Sequence, residues 1–239
     1  MMSKLTQKKE STKNPKGYSS IIIYEILRDE ILSLDLAPCQ PVDDASLAKR
    51  FNVSRSPVRD AMVRLVSESL LQTLPNKGTI VSPLRLEDFS KYIDALDIVQ
   101  RTVLRLAAKF RNNENLELIN KEQAIFTSSV EANDVLGMIQ SNRDFHIAIA
   151  KAGNNRYFEK IYRELLDDGR RSLRIYFNSF DSHLPKNLIS DHQLMIDAIK
   201  FQNLDLAEEL AHEHTLQMQQ QFLSYLGTLE TTDIEININ

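Results

Sequence analysis

The amino-acid sequence predicts a mainly α-helical protein: a small N-terminal unit with three helices and a β-hairpin, followed by a larger unit of helices alone. Two observations support this prediction. Apolar residues recur at helical spacing through most of the chain, and two strand patterns, LLQTL and TIVS, flank the turn sequence PNKG. The 239 residues are enough for two modest domains or one large one.

The composition is that of an ordinary globular protein. Apolar residues make up 42% and charged residues 26%, which argues against collagen-like, disordered or disulfide-rich classes. Cys39 is the only cysteine, so an intrachain disulfide is excluded. No apolar run approaches the length of a membrane span, and the N-terminus lacks the apolar segment of a signal peptide. These features predict a cytoplasmic protein with no membrane partner.

The sequence predicts four segments. Residues 1–17 are polar and lysine-rich and are expected to form a flexible tail, and residues 18–84 form the first globular unit, which Ser82-Pro83 ends. Residues 85–228 are expected to be all helical, in about six helices, and residues 229–239 form a second tail.

Three helices are predicted in the N-terminal unit. The first runs from Ser20 to about Ser33, and a turn with two prolines ends it. The second is short and follows the N-cap candidates Asp43 and Asp44. Asn52 then predicts a tight turn, since asparagine tolerates the left-handed conformation.

The third helix is predicted to begin after Ser54, an N-cap residue, with Arg55, Ser56 and Pro57 in its first turn. Proline costs little there because first-turn N–H groups have no partner inside the helix. Arg59 lies one turn after Arg55 on the same outer face. The inward stripe is predicted to comprise Val58, Met62, Leu65 and Val66.

This order of elements is that of a winged helix-turn-helix, in which the third helix reads double-stranded DNA and the hairpin is the wing. Arg55 and Arg59 suit guanine edges in the major groove. Lys77 and Gly78, at the wing tip, are predicted to contact an adjacent groove or phosphate. For two arginines alone a solvated face is the better interpretation. Their position at the helix start favours DNA contact.

The hydroxyl groups of Ser54 and Ser56 and the first-turn backbone amides suit phosphate oxygens. Residues 1–84 also hold 12 lysines and arginines against 9 acidic residues, while the remainder of the chain holds 17 against 24. This contrast fits an N-terminal part that binds DNA, followed by an acidic second part.

Three later helical stripes each direct one histidine towards the core. Asn142 and His146 are four residues apart on one face, and His192 and His214 continue two other stripes. A single histidine on an apolar stripe is usually a hydrogen-bonded core residue. Imidazoles that converge from three helices instead predict a site for a divalent metal, for which we expect zinc or nickel.

At these residues the sequence resembles a known family. The segments LAKRFNVS, VSRSPVRDA and NKGTIV are similar to the winged-helix domain of GntR-family bacterial transcription regulators, over residues 20 to 84. The segments NRDFHIAIAKAGNN, DHQLMIDAI and DLAEELAHEHTL resemble the all-helical FCD-type effector domain of the FadR subfamily. Cys39 and Ser69 stand where the family usually has glycine.

The resemblance implies a metal site with one departure. Members that bind a metal have an aspartate one turn before the first of three histidines, and His146, His192 and His214 fall on the histidine positions. Asn142 occupies the aspartate position, and Asp144 is half a turn away on another face. Asparagine offers an oxygen without charge, so we expect weaker binding or a different metal.

The resemblance also implies a small-molecule effector, for which we expect an organic acid. Arg171 and Arg174 are predicted to pair with its carboxylate, and a surface salt bridge is the alternative for both. Leu96 and Gln100 stand at the family's usual arginine and glutamate positions. The effector is therefore expected to be atypical.

The leading functional prediction is a DNA-binding transcriptional repressor controlled by this effector. One winged helix reads only a few base pairs, so a homodimer on an operator with two half-sites is expected. The alternative is a metal-dependent hydrolase that uses the three-histidine site. Against it, the sequence shows no inward carboxylate that would serve as general base and no nucleophile motif. A metal with a purely structural role is the third hypothesis.

Overall fold

The computed structural model describes residues 19–75, 78–177, 180 and 184–228. It divides into two compact units between Pro83 and Leu84. Separate clusters of buried apolar side chains lie in the two units.

The N-terminal unit contains the three predicted helices, α1 (Ser20–Leu32), α2 (Asp44–Phe51) and α3 (Arg55–Ser67). Asp43 caps α2, since its carboxylate accepts a hydrogen bond of 2.8 Å from a first-turn backbone amide. Asn52 ends α2 with a φ of 52°, the left-handed conformation that the sequence predicted. The short connection between α2 and α3 is that of a helix-turn-helix.

A three-stranded antiparallel sheet completes this unit. The predicted hairpin consists of β2 (Leu71–Leu74) and β3 (Gly78–Val81), with Leu71 opposite Val81. A further strand, β1 (Pro41–Val42), pairs with the other edge of β3. The prediction of a plain turn at Pro41 was therefore incomplete. Proline is compatible with this strand because β1 lies at the sheet edge.

The third helix packs on α1 with the side chains of Val58, Ala61, Met62 and Leu65. These positions follow the i, i+3, i+4, i+7 spacing of one helical face. The prediction that Val66 belongs to this stripe was wrong, since 37% of Val66 is exposed. It lies one step beyond Leu65 around the helix, and the small side chain of Ala61 completes the stripe instead.

Two residues of this unit adopt backbone conformations that favour glycine. Cys39 has a φ of 65° and Ser69 a φ of 58°. A side chain in the left-handed region costs roughly 1–2 kcal/mol. This chain thus lacks the family's usual glycine at two positions where the backbone conformation favours glycine.

The second unit begins with a short 3-10 helix, Leu86–Asp88, and continues with six helices, the predicted number for this part of the chain. No strand occurs in its described residues. The helices are α4 (Phe89–Phe110), α5 (Asn113–Glu131), α6 (Val135–Ala152), α7 (Arg156–Phe177), α8 (Asn187–Lys200) and α9 (Leu204–Thr228).

Gln100 links three of these helices inside the core. It is 2% exposed, and its amide nitrogen donates a 3.0 Å hydrogen bond to the backbone oxygen of Ala211 on α9. Its amide oxygen accepts a 2.8 Å hydrogen bond from the hydroxyl of Tyr162 on α7. Both polar ends of the side chain are satisfied, which holds α9 against α4 one turn before His214.

We predict that Ser69→Gly stabilises the N-terminal unit by roughly 0.5–1 kcal/mol. Glycine removes the cost of the left-handed conformation, which exceeds the added chain entropy of the unfolded state. Amide hydrogen exchange of the α1 and α3 peptides in the full-length protein measures this difference.

Ser67→Gly is the matched control, because Ser67 is the last residue of α3 and glycine there costs helical stability of about 0.5–1 kcal/mol. The two substitutions should change protection in opposite directions. A loss of protection in both variants would contradict the argument.

Candidate nucleic-acid interface and metal centre

The start of α3 presents the predicted DNA-facing side chains. Ser54 occupies the N-cap position with extended backbone angles, and Arg55, Ser56 and Pro57 are the first three helical residues, as predicted. The hydroxyl of Ser54 makes no capping hydrogen bond to the helix. First-turn amides that a side chain does not cap are suited to bind an anion such as a phosphate oxygen.

A single carboxylate, that of Asp44 on α2, holds both arginines of this surface. Arg55 donates from Nε to Oδ1 of Asp44 at 3.0 Å and forms a second, shorter contact to the same oxygen. Arg59 donates from Nε to the other oxygen, Oδ2. The Asp44 side chain is 14% exposed, whereas those of Arg55 and Arg59 are 54% and 62% exposed. Asp44 thus holds both guanidinium groups, while more than half of each arginine side chain remains exposed to solvent.

These contacts also determine the ionisation state of Asp44 and of Arg55. The hydrogen bonds from Arg55 and then Arg59 hold the pKa of Asp44 below its usual value, so the carboxylate stays ionised. The same contact raises the pKa of Arg55. The surface carries two positive charges and one negative charge, in a fixed arrangement.

The predicted wing contacts are only partly visible. Gly78 opens β3 with a φ of 80°, a conformation that glycine adopts without strain. Lys77 lies outside the described residues.

Three helices of the second unit bring their histidines together. His146 on α6, His192 on α8 and His214 on α9 each offer a ring nitrogen, and these atoms lie within 4.8 Å of one another. The ring centroids are 5.2 Å apart for His146 and His192, 5.4 Å for His146 and His214, and 5.6 Å for His192 and His214. His146 and His192 are each 1% exposed. The predicted convergence is present in the structure.

The surroundings of His192 determine which of its nitrogens carries hydrogen. Gln123 donates from its amide nitrogen to the backbone oxygen of Ile189 at 3.2 Å, so its amide oxygen faces Nδ1 of His192 at 2.9 Å. The reverse amide orientation would place two oxygens against each other. Nδ1 of His192 is therefore the donor, and Nε2 keeps its lone pair.

Aromatic rings hold the same imidazole in place. Phe145 stacks on His192 with ring centroids 4.1 Å apart and 12° between the planes, and Phe126 lies at 4.4 Å. Nε2 of His192 and Nδ1 of His146 are buried and have no hydrogen-bond partner among the described residues. Buried polar atoms without a partner are rare, and an imidazole lone pair that meets no donor is suited to a metal ion.

Burial keeps the three imidazoles neutral. Desolvation lowers the pKa of His214 to about 4, and desolvation lowers the pKa values of His146 and His192 well below 6.5, with a further contribution from the neighbouring histidines. Metal ions bind the neutral form of histidine. The chemistry and geometry of the three donors fit a divalent first-row metal.

The fourth predicted ligand, Asn142, lies one turn before His146 and lines two cavities together with His214. Asp144 points elsewhere, where it accepts hydrogen bonds from Gln140 at 2.7 Å and from Arg143 at 3.0 Å. Among the described residues, no carboxylate belongs to the histidine group.

The two cavities differ in chemistry. The first, of about 50 Å³, has a mainly apolar wall and is hereafter the apolar cavity. The second, of about 30 Å³, is lined by two arginines among other residues and is hereafter the arginine cavity. The apolar cavity is lined by Phe126, Met138, Asn142, Leu173, Tyr176, Phe177, Leu188, His214, Gln217, Met218 and Gln221.

The arginines at the arginine cavity are Arg143 and Arg170, neither of which the sequence singled out. Arg171 and Arg174 were predicted to meet the effector, but they do not line either of these cavities. Arg171 is 9% exposed, and desolvation lowers its pKa while Asp168 opposes that shift. An effector contact at Arg171 or Arg174 stays a prediction.

Sequence reasoning missed four residues of these sites, namely Asp44, Gln123, Arg143 and Arg170. The sequence identified Asp44 only as a candidate N-cap residue. Its hydrogen bond with Arg55 joins residues eleven positions apart, a separation that no helical or strand periodicity predicts. Gln123 and Arg170 lie on helices whose relative positions the sequence does not reveal.

The helices of the described residues include none with the length and the apolar composition of a membrane span.

Two family models match the two units of the chain. Residues 22–81 match the model of bacterial regulatory proteins of the gntR family, and residues 92–217 match the FCD domain. The chain is similar to the HTH-type transcriptional repressor RspR of Escherichia coli, with 23% identity over 86% of this chain and 89% of the relative. It is also similar to the HTH-type transcriptional regulator YdhC of Bacillus subtilis, with 24% identity over 79% of this chain and 85% of the relative.

A solved structure shares the fold. Escherichia coli McbR/YncC superposes with a TM-score of 0.74 at 19% identity, covering 86% of this chain and 98% of that chain. The two matched models together span both units, and the FCD model alone covers more than half of the chain. The chain therefore belongs to the GntR family of bacterial transcriptional regulators, and its helical unit is an FCD domain.

Proposed function

We propose that this regulator is a repressor that binds its operator as a homodimer through the start of α3, and that an organic acid bound beside a metal in the helical unit controls this binding. The observation that carries the sensing half is the group of three imidazoles within 4.8 Å inside the bundle. Action on operator DNA places the protein in the cytoplasm.

The exposed fork of Arg55 and Arg59 supports the DNA-reading part. Both guanidinium groups are more than half exposed and share Asp44 as an anchor. An anchored guanidinium loses less conformational freedom when it binds a guanine edge, so more of the contact energy remains as affinity. Ser54 and Ser56 lie beside it for phosphate contacts.

The requirement for specificity supports the homodimer. A single α3 reaches only a few base pairs, and two copies related by symmetry read two half-sites. The relative named as a transcriptional repressor, RspR, supports the direction of regulation. An effector changes operator affinity only if it binds one arrangement of the dimer better than the other.

The histidine group supports a metal-dependent sensor. Zinc or nickel would be held by His146, His192 and His214, and Asn142 lines the same cavities as His214. The metal would supply a positive charge that attracts a carboxylate. Arg143 and Arg170 line the same cavity, where Arg143 forms ion pairs with Asp144 and Asp167.

A hydrolase using the same histidines is the competing function. Hydrolysis at such a site needs a general base beside the metal-bound water. Among the described residues the histidine group includes no carboxylate. We propose that the site binds its ligand without turning it over.

We predict that Arg55→Ala and Arg59→Ala each weaken operator binding roughly 5- to 150-fold, because each removes a bidentate contact to a base edge. The operator is obtained by selection of random DNA with the wild-type protein. Fluorescence anisotropy at fixed salt then measures the affinity of each variant.

Arg64→Ala is the matched control on the same helix. Arg64 lies 3.5 Å from the centre of the Tyr24 ring and contacts Glu68 at 3.3 Å. Its loss should leave operator affinity within about twofold. Unchanged affinity in both Arg55 and Arg59 variants would rule out the reading helix.

We predict that zinc or nickel raises the melting temperature of chelator-treated protein and that His214→Ala abolishes this shift. A ligand that binds only the native state stabilises it by mass action. His212→Ala is the control, because Nδ1 of His212 lies 2.7 Å from Asp97 and outside the histidine group. Equal shifts in the two variants would place the metal elsewhere, and metal-dependent ester turnover would favour the hydrolase.

A further inference from the structure

Asp44 occupies one edge of the Arg55 guanidinium and leaves another edge open. Nε and Nη2 of Arg55 both donate to Oδ1 of Asp44, so the carboxylate lies along the side of the guanidinium plane. The outer edge, formed by Nη1 and the second N–H group of Nη2, has no hydrogen-bond partner among the described residues. Two parallel N–H groups on one edge match N7 and O6 of guanine.

Arg59 is held in a similar way by the other oxygen of the same carboxylate. Its Nε donates to Oδ2 of Asp44, and within the described part of the chain its two terminal nitrogens make no hydrogen bond. Arg55 and Arg59 lie one helical turn apart, so the shared carboxylate fixes the spacing of the two outer edges. The two side chains are 54% and 62% exposed, which leaves these edges open to a ligand in solution.

The carboxylate also reduces the positive charge of this surface. The two guanidinium groups and Asp44 together carry two positive charges and one negative charge. Asp44 remains ionised because the hydrogen bonds from Arg55 and then Arg59 lower its pKa. Affinity for DNA of any sequence depends on the positive charge that meets the phosphates. A carboxylate in contact with both arginines therefore lowers the attraction to phosphate and leaves the outer edges available for bases.

Asp44 is not the N-cap residue of α2. Asp43 occupies that position, and its carboxylate accepts a 2.8 Å hydrogen bond from the backbone amide of Ser46. Asp44 is the first helical residue, and both of its carboxylate oxygens accept hydrogen bonds from arginines of α3. The role of this carboxylate thus lies in the arrangement of Arg55 and Arg59.

We propose that Asp44 is a specificity-determining residue, which weakens the binding of Arg55 and Arg59 to phosphates of any sequence and strengthens their preference for guanine edges. It is a positioning residue that acts through the two arginines. The inference rests on the proposed reading of DNA by the start of α3. It adds to that function the residue that separates specific from non-specific binding.

The test compares wild-type protein with Asp44→Asn, which keeps the size of the side chain and removes its charge. Fluorescence anisotropy measures binding to the selected operator and to a random duplex of equal length, between about 50 and 200 mM salt. In Asp44→Asn the affinity for the random duplex should rise, and the slope of log affinity against log salt should steepen by up to about one. The ratio of operator affinity to random-duplex affinity should fall at least about tenfold, because the base contacts lose their orientation.

Asp43→Asn is the matched control. It removes the same charge at the adjacent position, and asparagine is as good an N-cap residue as aspartate. The Asp43 carboxylate is bonded to the start of α2 and not to Arg55 or Arg59. Its affinity ratio should stay within about twofold of the wild-type value, since a general loss of charge acts on both duplexes alike. Amide hydrogen exchange of the α2 and α3 peptides shows that each variant is folded.

A purely structural role of Asp44 gives a different result. If Asp44 only held α2 against α3, its loss would weaken binding to the operator and to the random duplex together, and the affinity ratio would stay the same. Partial unfolding cannot raise the affinity for random DNA while it lowers the ratio. The direction of the two changes therefore distinguishes positioning of the arginines from support of the fold.

Replacement of single operator guanines by 7-deazaguanine adds a measurement at the bases, because this analogue lacks the N7 acceptor. The guanines read by Arg55 or Arg59 are those at which the replacement weakens wild-type binding but not binding of the corresponding alanine variant. Asp44→Asn should reduce the loss of affinity at these guanines and leave the effect at other positions unchanged.

The outcomes separate this inference from the proposed function. An unchanged affinity ratio in Asp44→Asn, or an equal fall in Asp43→Asn, would overturn the role of Asp44 and leave the reading helix standing. Unchanged operator affinity in both Arg55→Ala and Arg59→Ala would overturn the proposed reading helix, and the inference with it.

Discussion

The helical unit depends on one constraint, which is the convergence of three imidazoles inside the bundle. Inside an apolar bundle a polar ring nitrogen needs a partner, and only part of this need is met by the protein. Gln123 satisfies one nitrogen of His192, while Nε2 of His192 and Nδ1 of His146 have no hydrogen-bond partner among the described residues. The packing of α6, α8 and α9 holds these atoms together, and a metal ion is the group whose chemistry fits them.

The surface predicted to face DNA also depends on one less exposed polar side chain, but its functional groups are open to solvent. Asp44 is largely buried and holds the exposed guanidinium groups of Arg55 and Arg59 through separate oxygens. In the bundle the histidine side chains are neutral, whereas at the start of α3 the carboxylate of Asp44 orients two guanidinium groups. At both sites a polar side chain of low exposure orients another side chain. Gln123 orients the ring of His192, and Asp44 orients Arg55 and Arg59.

The exchange of aspartate for Asn142 has a simple electrostatic meaning. An aspartate would give the site a charge of its own, and a metal would bind there with less dependence on other ligands. Asparagine keeps an oxygen donor and removes the charge, so we expect weaker metal binding at this site.

The sequence by itself determined the elements and the candidate side chains. Local signals were sufficient for the caps, the tight turn at Asn52, the start of α3 after Ser54 and the six later helices, because these depend on neighbouring residues. Helical spacing also identified the inward histidines. The tertiary structure alone decided how separate helices meet: that Asp44 joins both arginines, that Gln123 fixes the tautomer of His192, and that Arg143 and Arg170 line the arginine cavity. It also added β1 and moved Val66 to the surface. Such relations depend on the packing of residues distant in sequence, which no local pattern records.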